Sequence, residues 1–122
     1  MMSKSRHELQ LTENEQKAIH TFVEKVCQRF SKQLSAILLF GSRARGDAKA
    51  DSDMDLLVIM TSTDLATQRA IRDLAVEVWL SYGIYLSTRV WSEAHRRQHA
   101  AIHSSFYSNL QQDAIDLLPL AA

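Results

Sequence analysis

The chain has 122 residues, 46% of them hydrophobic and 23% charged. That is the size and balance of one globular domain and excludes a mainly disordered chain. Its 14 Lys+Arg offset 14 Asp+Glu, so no overall basic charge draws it to nucleic acid, and its single cysteine excludes an internal disulfide and a cysteine-based zinc site.

Residues 1–11 read as a flexible polar N-terminus and residues 12–122 as a single domain. No apolar signal core follows the first methionines, so secretion is not expected and the cytoplasm is the expected compartment. Thr12 with Glu15 forms a capping-box pattern. Ile19, Phe22, Val23, Val26 and Phe30 then recur at helical spacing, predicting a helix over residues 13–33. Cys27 adjoins this stripe as a small residue near the core.

Residues 35–40 form a short apolar run stopped by Gly41, which favours a buried strand. The run is far short of the ~18 apolar residues of a membrane span. A polar loop over residues 42–52 follows. Residues 53–61 predict a second strand, with Met54, Leu56, Val58 and Met60 on one face and Asp53, Asp55, Leu57 and Ile59 on the other. Ser62 or Thr63 is the expected cap of a second helix, with Asp64 in its first turn. Ile71, Leu74, Ala75, Val78 and Tyr82 are its buried stripe and Gly83 its stop. Residues 84–91 read as a third strand, Ser92 as the cap of a helix reaching about His103, residues 106–112 as further helix, and residues 114–118 as a short fourth strand. The order predicts an α/β (α+β) domain, a small mixed sheet with helices packed on it.

Chemistry concentrates between Leu39 and Val58. Asp53 and Asp55 lie two apart on a strand, so their carboxylates share a face with Cβ atoms ~6–7 Å apart. Without a cation they repel by roughly 2–3 kcal/mol at an effective dielectric near 20. A divalent, oxygen-seeking ion such as Mg2+ answers that repulsion, because it takes one or two carboxylates together with substrate phosphates. Gly41 lets the backbone approach a ligand, and the Ser42 hydroxyl and the amides of Ser42 and Arg43 can face a phosphate. Arg43, Arg45 and Lys49 lie in the same loop and can neutralise a triphosphate. A glycine-serine pair alone means little, since turns use it widely. Four specified residues at ~6% each, however, give a chance match of order 10⁻⁵ per start position.

Gly-Ser-x10-Asp-x-Asp in this setting resembles the polymerase-β-type nucleotidyltransferase superfamily. The wording Gly-Ser-Arg-Ala-Arg-Gly-Asp-Ala is similar to that of its minimal members. The resemblance runs from about Leu34 to Trp91 and returns more weakly at residues 106–115. It implies that Asp53 and Asp55 hold Mg2+, that Gly41 and Ser42 bind the triphosphate of ATP or another NTP, and that a nucleotidyl group passes to a hydroxyl. For minimal members it further implies an antitoxin that places AMP on a tyrosine of a HEPN-type ribonuclease toxin. The chain departs from the pattern in its third strand, where the family carries another carboxylate. Here Ser87, or on a shifted register Tyr85, fills that slot. Turnover with two aspartates, a substitute carboxylate (Glu77 and Glu93 are candidates), and nucleotide or partner binding without turnover all stay open. The alternative function is thus a non-catalytic antitoxin that acts by occlusion. A small-molecule acceptor is disfavoured because no second domain is available to build its pocket.

His95, His99 and His103 recur every four residues, but no cysteine or placed acid completes a metal site, so a polar helix face beside Arg96 and Arg97 is expected. Trp79, Trp91, Phe106 and Tyr107 are core or interface candidates, and some apolar surface is expected to meet another chain, either a second copy or a toxin. Direct nucleic-acid or membrane binding is not expected.

Overall fold

A computed structural model describes residues 11–45 and 53–118. Helix α1 (Glu13–Phe30) begins with the expected reciprocal cap: Glu15 N donates to Thr12 Oγ1 at 3.0 Å, and Thr12 N donates to Glu15 Oε1 at 2.9 Å. It ends before Gln33, whose carbonyl accepts from Thr61 N at 2.7 Å, so the segment after Phe30 already serves the sheet. Strand β1 (Leu34–Phe40) leads through Gly41 to a single helical turn, α2 (Ser42–Arg45). Strand β2 (Met54–Met60), helix α3 (Leu65–Tyr82) and strand β3 (Leu86–Ser92) follow. The cap of α3 is Asp64 rather than Ser62 or Thr63, because its carboxylate accepts from Thr67 N at 2.8 Å. Gly83 ends α3 in the left-handed region, at φ 71°. Helices α4 (Glu93–Ala101, capped by Ser92) and α5 (Ser105–Asp113, capped by Ser104) precede a two-residue strand, β4 (Ile115–Asp116). The fourth strand is shorter than residues 114–118, and its neighbour Leu117 instead donates its N–H to Ile37 O at 2.8 Å.

The sheet order is β3-β2-β1-β4. β1 runs antiparallel to both β2 and β4, while β2 and β3 are parallel, joined by the α3 crossover. The sheet is therefore mixed, and the domain is α+β. The period-two pattern of β2 sorts its side chains onto two faces. Met54, Leu56, Val58 and Met60 join Phe22, Val26, Ile71 and Val78 in the core beneath α1 and α3. Leu57 and Ile59 join Leu38, Trp91 and Leu110 beneath α4 and α5, with Phe40 and Phe106 at the margin. Cys27 is half-buried against the first core, and burial pushes its thiol pKa up. Among the described residues no helix is long and apolar enough to cross a membrane.

Candidate nucleotide and metal site

Antiparallel pairing sets Phe40, the last residue of β1, opposite Asp55, the second of β2. Gly41 follows at φ 80°, and a Cβ on it would stand 2.5 Å from Asp55 Oδ2. Only glycine permits both that backbone angle and that approach. The turn is held in shape because the amides of Ala44 and Arg45 both donate to Gly41 O, at 3.1 and 3.2 Å. The glycine bend and the β2 carboxylate, ten residues and more apart in the chain, thus form one site.

Asp55 is half-buried and Asp53 exposed. Burial raises the pKa of the Asp55 carboxyl, and the charge of Asp53 raises it further; Arg89 acts in the opposite direction. Asp53 stands one residue before β2 rather than within it, and its charge still bears on Asp55. Among the described residues no group of three or more His, Cys, Asp or Glu side chains gathers as a metal site. Two carboxylates are a donor set suited to a hard divalent cation that shares its coordination with phosphate.

The other expected residues divide. Arg43 is buried, and its Nη2 lies 2.5 Å from Glu15 Oε2, with the two side chains 7% and 8% exposed. Burial pushes the Glu15 carboxyl up, but bonds from Thr12 and Arg43 and the charge of Arg43 outweigh it and leave its pKa lowered. The guanidinium thus ties α2 to the first turn of α1. Arg45 is exposed. Lys49 lies outside the described residues.

Ser87 is the β3 residue in register with Asp55. Tyr85 precedes the strand and packs edge-on against Trp79, their ring centroids 5.7 Å apart. The slot beside Asp55 therefore belongs to serine. Neither candidate substitute acid reaches it: Glu77 accepts from Lys25 Nζ at 3.0 Å across α1 and α3, and Glu93 accepts from Arg96 Nε at 2.6 Å. Two residues beyond Ser87, Arg89 shares the Asp55 face and lies over the Phe106 ring, 5.0 Å from its centroid. Strand alternation from Ser87 could have identified Arg89 in the sequence.

The histidine row is only partly a polar face. His99 stacks on Trp91 with centroids 4.3 Å apart, and its Nδ1 lies 2.8 Å from Ser104 Oγ, while His95 meets the Trp91 edge.

Known proteins resemble this chain over most of its length. A family model described as "Nucleotidyltransferase domain" matches residues 19–117. A protein of Methanocaldococcus jannaschii, provisionally named a protein adenylyltransferase, is 34% identical over 82% of this chain and 94% of its own length. A second so named from the same organism is 41% identical over 54% of this chain, which spans about half (47%) of that relative. A solved structure from Sulfolobus solfataricus, provisionally named a nucleotidyltransferase, superposes with a TM-score of 0.53, covering 83% of this chain and 77% of that one. At 21% identity that likeness concerns the fold alone. With the family match running from α1 through the last strand, the chain belongs to the nucleotidyltransferase domain family.

Proposed function

We propose that the chain transfers AMP, or another nucleoside monophosphate, from a Mg2+-bound triphosphate to a hydroxyl of a partner protein, a tyrosine of a HEPN-type ribonuclease toxin, and thereby acts as its antitoxin. The observation that carries the nucleotide site is the approach of Gly41 to Asp55 at the mouth of the sheet. A protein acceptor is supported by the names of the two archaeal relatives. An apolar surface around Trp79, Leu80 and Tyr85, exposed by 50%, 79% and 51%, is of the kind a protein partner covers.

In this reading Asp53 and Asp55 hold the metal, which when bound neutralises phosphate charge. Ser42 Oγ and the amides opening α2 donate to phosphate oxygens, with Arg45 and Lys49 adding positive charge. Arg43 keeps the turn in place through Glu15. The acceptor oxygen bonds to the α-phosphorus as the bond from that phosphorus to the bridging oxygen breaks. Pyrophosphate leaves with the electron pair, and the hydroxyl proton passes to water.

The test mixes the chain with α-labelled ATP, Mg2+ and the candidate toxin. Label on a toxin tyrosine, lost in Asp53→Asn and Asp55→Asn, is the expected result. One observation favours the second reading, neutralisation by occlusion: serine stands in register with Asp55 where the family places a carboxylate. Neutralisation that persists in both variants without label supports that reading instead.

A further inference from the structure

We infer that Arg89 is an acceptor-side docking residue, selecting a hydroxyl carried on an acidic polypeptide segment. This rests on the nucleotidyl-transfer reading above. In that reaction the attacking and leaving oxygens lie in line on opposite sides of the α-phosphorus. The strand order puts β1 and β3 on opposite sides of β2. Adjacent strands are about 4.8 Å apart, so β1 and β3 are separated by about 10 Å. With the leaving pyrophosphate over the Gly41–Ser42 bend of β1 and the carboxylates on β2, the incoming hydroxyl arrives over β3.

The β3 side chains on that face, beginning at the register of Asp55, are Ser87 and then Arg89. Arg89 is exposed and its guanidinium lies over Phe106. Phe106 is itself flanked by Phe40 and Trp91, with ring centroids 5.3 and 5.4 Å away. The cation is therefore held over a fixed aromatic shelf, and its charge also acts on Asp55. Among the described residues no carboxylate lies within ion-pair distance of it. β3 is also an edge of the described sheet, open to a large acceptor. Beside Asp55 this chain sets a neutral serine and then a cation, so on the acceptor side Arg89 is the group that attracts negative charge. An acidic polypeptide fits better than a polyphosphate chain, because on this β3 face Arg89 is a single cation beside an aromatic ring.

The test uses the full chain with α-labelled ATP and Mg2+, and two soluble acceptors: a random copolymer of glutamate and tyrosine, and one of lysine and tyrosine. The readout is the ratio of label on the acidic polymer to label on the basic one, measured in wild type, Arg89→Gln and Arg89→Glu. ATP affinity is measured calorimetrically in parallel. The wild type favours the acidic polymer, the ratio falls about fivefold in Arg89→Gln, and it falls further or inverts in Arg89→Glu. Anisotropy of the fluorescently tagged acidic polymer, read without nucleotide, shows the same order. An unchanged ratio in both variants overturns the inference while leaving nucleotidyl transfer intact. Weaker ATP binding at constant ratio overturns it as well. Absence of ATP binding by the wild type defeats the underlying reading instead.

Discussion

Asp55 Oδ2 lies 2.5 Å from the point where a side chain on residue 41 would begin, so the carboxylate of β2 occupies space that only a glycine at the bend after β1 leaves open. Gly41→Ala meets both this contact and a left-handed backbone angle, φ 80°. The angle alone costs about 1–2 kcal/mol, and pushing Asp55 aside adds to that at the site. The expected outcome is a modest fall in thermal stability and a loss of ATP affinity of roughly tenfold or more, read by calorimetry.

Glu15 and Arg43 form a buried ion pair in which Glu15 also caps α1. Removing one partner leaves the other charge buried, so Arg43→Met or Glu15→Gln is expected to lose about 3–5 kcal/mol in urea unfolding. The pair Glu15→Leu with Arg43→Met, which removes both charges, is expected to recover part of that loss.

The same pair sets a pH dependence. The Glu15 carboxyl has a lower pKa folded than unfolded, because Thr12 and Arg43 together outweigh its burial. The folded chain thus binds fewer protons there. The stabilisation is complete above the ordinary glutamate range and is lost as pH falls through the depressed folded value. Urea midpoints of wild type should fall between pH 6 and acidic pH by more than those of Glu15→Gln, a difference that closes once the carboxyl is protonated.

Ser87→Asp restores a carboxylate in register with Asp55. Three acids attract a divalent ion more strongly and repel one another more strongly without it. Mn2+ affinity is expected to rise on the order of tenfold, while metal-free stability falls by about 2–3 kcal/mol. Titration by electron paramagnetic resonance and unfolding in chelator check the two halves separately.

Much of this site could be read from local chain pattern. The alternation of Met54, Leu56, Val58 and Met60 with Asp55, Leu57 and Ile59 requires only a period of two, and the observed cores follow it. The Thr12–Glu15 cap and the Gly83 stop are likewise local. Arg43 was different: its partner lies 28 positions earlier, and nothing in a basic loop tells a ligand-facing arginine from one folded back onto a helix cap. The choice between Ser87 and Tyr85 depended on how β3 slides along β2, a parallel register that a long crossover leaves open. The attraction of Tyr85 to Trp79 helps close it. The α3 cap shifted to Asp64 because Ser62, Thr63 and Asp64 are all competent caps and only the position of the first turn decides among them. The expected role of Lys49 falls outside the described residues.

The central claim is that Asp53, Asp55 and the Gly41–Ser42 bend together hold a metal-bound triphosphate. Its most direct test is isothermal calorimetry of ATP into the wild type with Mg2+, the wild type with chelator, and Asp55→Asn with Mg2+. The account predicts saturable binding in the first and its loss in the other two. Binding unchanged by chelator and by Asp55→Asn, or no binding to a folded wild type, contradicts it.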